Sequence, residues 1–70
     1  MTDQIKITLN GEARSIDSGL SVDGLLDVLG LARERIAVEL NRRVVQRMDW
    51  TERILRDGDR VEIVHFVGGG

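Results

Sequence analysis

The segment from Leu20 to Gly30 constrains the fold of this chain more than any other. Val22, Leu25, Leu26 and Leu29 fall at i, i+3, i+4 and i+7, which predicts one apolar face of an α-helix. Ser21 stands where a cap belongs, its hydroxyl able to accept from an early helical N–H. Leu20 and Leu25 occupy the hydrophobic-staple positions either side of that cap. Gly30 is placed to end the helix in the left-handed conformation. A helix this short does not hold in water alone and must pack on something. The rest of the chain reads as strands, so the partner is a sheet.

The strands are marked by alternation. Ile5, Ile7 and Leu9 alternate with Lys6 and Thr8, the pattern of a half-buried strand. Asn10-Gly11 follows, a strong hairpin signal because both residues tolerate positive φ. The return strand, about Glu12 to Ile16, alternates poorly. A two-residue loop puts Glu12 and Arg14 on the face of Leu9 and Ile7; a three-residue loop aligns Ala13 with Leu9. Both registers stay open. Ile36, Val38 and Leu40 form a second alternating strand, Asn41-Arg42-Arg43 a turn, and Val44-Val45 a short strand. Asp49-x-x-Glu52 reads as a capping box opening a helical turn from Trp50 to Leu55, with Asp49 and Arg53 at the favourable i, i+4 spacing. Asp57-Gly58-Asp59 lacks the further acidic ligands of a calcium loop and reads as a turn. In the last strand Val61, Ile63, His65 and Val67 share one face and Glu62, Val64 and Phe66 the other. Apolar residues on both faces place it centrally in its sheet. The order of hairpin, helix, strand, short strand, helical turn and strand predicts an α+β domain, a β-grasp or ubiquitin-like roll with a mixed sheet packed on one main helix.

Composition then removes function classes. At 70 residues the chain is a single domain. With no cysteine and one histidine, His65, it has no disulfide framework, no Cys/His metal site and no nucleophile–base pair. His65 reads as a strand residue, and Trp50 as a cap over the end of the core. A net charge of −2 and two aromatic residues give neither the basic excess nor the stacking ladder of a nucleic-acid binder. Arg42, Arg43 and Arg47 cluster, either as a solvated turn or as a small patch for an acidic protein. No apolar run reaches a membrane span and no export signal opens the chain, so the expected compartment is the cytoplasm.

The sequence closes Gly68-Gly69-Gly70. At an average glycine frequency of about 7%, three in a row at a chosen place arise about three times in ten thousand. The expected division is a domain over 1–67 and a flexible tail over 68–70. Extended, such a tail reaches roughly 10 Å beyond the sheet. With no side chains it can enter a narrow channel in another protein and present the Gly70 carboxylate there. An ionised carboxylate is a poor electrophile, and ATP can activate it as an acyl-adenylate. A sulfur nucleophile then yields a thiocarboxylate, an amine an isopeptide bond. The chain is the substrate in either case. A frayed or linker-like end is the competing reading of the glycines. Val64 and Phe66, beside the tail, form a candidate apolar patch for docking the activating enzyme.

On these residues the whole chain resembles the ThiS-type sulfur carriers of thiamine biosynthesis. The likeness runs through the Asn10-Gly11 hairpin, the Ser21 to Leu29 helix and Ile36 to Asn41, then Arg47, Trp50 and Leu55 to Gly70. The Asp-Gly-Asp turn, apolar strand and glycine stop are its most specific part. One departure is Gln46, where members often have proline; it touches turn rigidity, not the reactive end. The resemblance implies that Gly70 is adenylated by a ubiquitin-activating-type adenylyltransferase using ATP and magnesium. A cysteine desulfurase relay then supplies sulfur, and thiazole synthase takes it from the thiocarboxylate. Gly68 and Gly69 supply the thread, and the carrier itself holds no cofactor. The small subunit of molybdopterin synthase is the nearest alternative. A lysine-conjugated modifier and an interaction module with an inert tail are the others.

Overall fold

In a computed structural model, residues 3–66 are described. Strand β1 (Gln4–Leu9) turns into β2 (Glu12–Asp17), followed by helix α1 (Val22–Leu29), β3 (Ile36–Leu40), β4 (Arg43–Val45), a 3₁₀ turn (Arg47–Asp49) and β5 (Arg60–His65). The sheet has five strands in the order β2-β1-β5-β3-β4. Pairing is antiparallel except between β1 and β5, which run parallel. One helix lies across one face of this mixed sheet, which is the expected β-grasp arrangement.

The hairpin register is that of the two-residue loop: Leu9 faces Glu12 and Ile7 faces Arg14. Asn10 and Gly11 take φ of 48° and 85°. Positive φ at both loop positions is the primed turn whose twist matches the flanking strands. Only Ile16 of β2 is buried, which accounts for that strand's weak alternation. Asn41 and Arg42, with φ of 52° and 70°, repeat the same turn between β3 and β4.

Helix α1 begins and ends where its signals stand. Ser21 caps it, accepting from the Gly24 N–H at 3.0 Å, and Gly30 closes it at φ 70°. Val22, Leu25 and Leu26 are buried against the sheet residues Ile7, Ile16, Ile36, Val38, Leu40, Val45, Val61 and Ile63.

The segment from Gln46 to Leu55 departs from the expectation. Its helical turn spans Arg47–Asp49, with Trp50 as the closing residue, so Asp49 lies inside the turn and caps nothing with its side chain. Asp49 and Arg53 form no ion pair; among the described residues both ion pairs belong to Arg33. The reason is tertiary. The Trp50 and Arg53 carbonyls accept from the Asp23 and Val22 N–H groups at the start of α1, at 3.0 and 2.9 Å. Those donors have no partner within their own helix. The Glu52 and Arg53 N–H groups still close a turn on the Asp49 carbonyl, at 3.1 and 2.9 Å, but the Trp50 and Arg53 carbonyls are turned to α1 and do not extend it into a helix. Trp50 is buried, as expected of a core cap, and its Nε1–H donates to the Val45 carbonyl at 2.9 Å. The Arg47 guanidinium stands 4.7 Å from its ring centre, within cation–π range.

Strand β5 is central, but not because both its faces are covered. Val61 and Ile63 are buried under α1, while Val64 and Phe66 on the other face are exposed.

Candidate functional site: the root of the glycine tail

Strand β5 ends at His65, and in sequence Phe66 and Val67 separate it from the three glycines. It is held by β1 at its start and by β3 along its length, from Leu40 opposite Val61 to Ile36 opposite His65. The Phe66 N–H donates to the Arg35 carbonyl at 2.8 Å, one residue past the strand. Arg35 takes φ 64°, a left-handed conformation uncommon for a residue with a side chain. Val67 and the candidate tail residues Gly68, Gly69 and Gly70 lie outside the described residues.

The two candidate docking residues share the sheet face opposite α1. Val64 is 44% exposed and Phe66 58% exposed. Ala37 pairs with Val64, and the exposed Val44 stands on the same face, across from Glu39. Glu39 in turn sits directly opposite Glu62. His65 is exposed at the end of β5 on the helix-side face, with Ile63. The root of the tail is thus an apolar patch with a pair of carboxylates further up the face. A groove of about 490 Å³ between β2 and α1 takes no lining residue from β5, so it is not continuous with this region.

The residues around β5 have structural work. Asp57 Oδ1 accepts from the Lys6 N–H, and Asp59 accepts from the Arg56 N–H and the Asn41 side-chain amide, all at 2.8–3.0 Å. The Asp-Gly-Asp turn therefore ties the entry of β5 to β1 and to the β3–β4 hairpin.

Two long-range contacts were not foreseen from sequence. Asn10 does more than turn the hairpin: its side-chain oxygen accepts the Ile63 N–H at 2.8 Å, where β1 no longer reaches β5. Its pairing with Gly11 signals the turn, and nothing local signals a partner so far along the chain. Arg33 bonds Asp23 Oδ1 at 2.9 Å, Asp27 Oδ1 at 2.7 Å and the Asp23 carbonyl at 3.0 Å, clipping the connector to α1. The Arg33 hydrogen bond holds the Asp23 carboxyl below its ordinary value, against partial desolvation, with the guanidinium charge adding to the lowering. Arg33 is raised in return, chiefly by its bonds to Asp23 and Asp27. Spacings of ten and six residues match no local rule that would have found this cluster. No described helix is long and apolar enough to cross a membrane.

Comparison with known proteins agrees with this architecture. The model of the ThiS family matches residues 7–70. A thiazole synthase of Magnetococcus marinus is 46% identical over 66 residues; these are 94% of this chain and 20% of that protein. This chain therefore spans about a fifth of the thiazole synthases it matches. The sulfur carrier protein ThiS of Thermus thermophilus is 36% identical over 64 residues, 91% of this chain and 98% of that one. The crystal structure of a ThiS thiamine biosynthesis protein from Geobacter metallireducens superposes with a TM-score of 0.82 at 38% identity, covering 94% of this chain and all of that one. With the same fold over nearly its whole length and a family match that runs through the glycines, this chain belongs to the ThiS family.

Proposed function

We propose that this chain is a sulfur carrier whose Gly70 carboxylate is adenylated, converted to a thiocarboxylate and delivered to thiazole synthase. The observation that carries the reading is that Gly68-Gly69-Gly70 follows in sequence soon after the central strand, which is held as far as the Phe66–Arg35 bond. In this reading the sheet supports a thread that has no side chains to obstruct a narrow channel. In the activation step a Gly70 carboxylate oxygen attacks the α-phosphorus of ATP and pyrophosphate leaves. A sulfide nucleophile then attacks the acyl carbon, a C–S bond forms, and AMP leaves with the C–O electron pair. ATP and magnesium belong to a ubiquitin-activating-type adenylyltransferase; the sulfur comes through a cysteine desulfurase relay as a persulfide, whose S–S bond a thiol reductant cleaves, itself oxidised to a disulfide, to bring the sulfur to the sulfide level. The carrier acts as a substrate throughout, in the cytoplasm.

The acceptor reading has its own support. In the Magnetococcus thiazole synthase a stretch like this chain shares a polypeptide with the rest of that protein. Covalent linkage of two parts is what a donor–acceptor pair would tolerate. The test is the intact mass of the protein from its own host, and again after incubation with ATP, the adenylyltransferase and bisulfide. The expected product is heavier by one oxygen-to-sulfur exchange and absent when Gly70 is deleted. An unchanged mass in both preparations overturns the proposal.

A further inference from the structure

The two flanks of β5 are treated differently. On one, β3 pairs with it throughout. The bonds from the Asn41 N–H to the Arg60 carbonyl and from the Phe66 N–H to the Arg35 carbonyl set the alternation. Residues 60, 62, 64 and 66 turn their main-chain groups toward β3, and residues 61, 63 and 65 turn theirs the other way. On that other flank β1 pairs only at Thr8–Arg60 and Leu9–Val61 before leaving into its hairpin. Asn10 covers the next position twice: its N–H donates to the Val61 carbonyl and its side chain accepts the Ile63 N–H. Beyond Asn10, no described residue pairs with the Ile63 carbonyl or with the His65 N–H and carbonyl.

The other two edges of the sheet are guarded. Strand β2 carries Glu12, Arg14 and Asp17, and β4 is only three residues long and begins with Arg43. Charge and shortness are the usual defences against strand addition. The β5 edge has neither. From Ile63 to Phe66 the sequence is Ile-Val-His-Phe, without an acid, a lysine, an arginine or a proline. On the open face this stretch also presents Val64 and Phe66.

We infer that this open flank receives an extended segment of the enzyme that activates the terminal glycine, added as a β-strand where β1 has turned away. This inference rests on the carrier reading above. The added strand bonds the Ile63 and His65 main-chain groups, and its alternate apolar side chains lie beside Val64 and Phe66. Pairing there fixes the direction in which the chain leaves the sheet, so the tail enters the active site already aligned. Specificity then comes from two sources, a main-chain ladder and an apolar patch, both immediately before the reactive end.

The test removes one N–H. In His65→Pro the lost donor faces the unpaired flank, where proline is tolerated in sheets, so the β3 ladder survives. His65→Ala removes the side chain and keeps the donor. Both are assayed by ATP–pyrophosphate exchange with the adenylyltransferase, alongside thermal melting. His65→Pro is expected to melt near the parent and to raise the KM for the carrier about tenfold, the weight of one main-chain hydrogen bond. His65→Ala is expected to keep the parent KM. Hydrogen exchange supplies a reading without substitution: the His65 amide exchanges rapidly in the isolated chain and at least about tenfold more slowly in the complex. A parent-like KM for His65→Pro, or an unprotected His65 amide in the complex, overturns the inference. Should His65→Pro not fold, the amide protection decides alone. If the parent chain is not adenylated at all, the carrier reading fails and takes this one with it. Adenylation of the parent with an unprotected amide removes only the docking strand.

Discussion

Along β5, Val61 and Ile63 are buried beneath α1, while Val64 and Phe66 stand exposed on the other side of the same sheet. The same contrast holds in β4, where Val45 is buried and its neighbour Val44 is exposed. The buried part of the covered face is apolar, from Ile7 through Val38 to Val61. The open face mixes Lys6 and Thr8 with the facing pair Glu39 and Glu62 and with Val44, Val64 and Phe66. Like charges directly opposite one another weaken a sheet, and exposed valine and phenylalanine contribute little to folding. The difference teaches that apolar character alone does not assign a role. Beneath α1 it stabilises the fold. At the root of the tail it is available to a partner, beside the end of the chain where the proposed chemistry occurs.

The sharpest way to break this comparison is to empty the covered face. Leu26→Ala, at a fully buried helix position, is expected to cost about 3 kcal/mol and lower the melting temperature by roughly 15–20 °C. A loss below about 1 kcal/mol in a denaturant titration would show that α1 is not seated on the sheet as described. A paired substitution sharpens the contrast. Val45→Thr buries a hydroxyl and is expected to cost about 1–2 kcal/mol, whereas Val44→Thr, one residue away, stays within about 0.5 kcal/mol. Equal costs at the two positions would mean that the faces are not distinct.

The smallest effect concerns the Arg33 clip. The Asp23 pKa is lowered in the folded chain, so its contribution to stability is present above the unfolded value, near 3.8, and disappears as pH falls through the lower folded value. The difference in melting temperature between the parent and Asp23→Asn should therefore hold steady above about pH 5 and narrow as the solution is acidified below 4. A difference that is constant down to pH 2.5 would remove the ion pair from the account. Both groups are accessible to solvent, so the effect is modest and shrinks with added salt.

How much could be read without the structure depends on the distance over which each signal acts. The cap at Ser21, the apolar face from Val22 to Leu29 and the left-handed stop at Gly30 are written within one helix, and all three stand where the spacing puts them. The alternation from Ile36 to Leu40 and from Val61 to Ile63 fixed two strands and their inward faces. The central place of β5 also followed, although for an incomplete reason: its second face is apolar without being covered. The glycine run and the two exposed residues before it marked the candidate site, because tail, strand and patch are consecutive in the chain.

Other features were decided only when distant segments met. The register of the first hairpin needed the actual φ values at Asn10 and Gly11, since β2 at the sheet edge carries too little alternation to select one. The segment after Trp50 has the composition of a helical turn, yet its carbonyls are drawn to the first N–H groups of α1, some thirty residues earlier. Asn10 closes the ladder on Ile63 across 53 positions, and Arg33 finds Asp23 and Asp27 only because the connector folds back. The sequence by itself determined the main helix, the strands and their inward faces, because those depend on repeats of two and 3.6 residues. Tertiary structure alone decided which unpaired donors and acceptors found one another, because burying a backbone group without a partner is costly and the nearest partner in space need not be near in sequence.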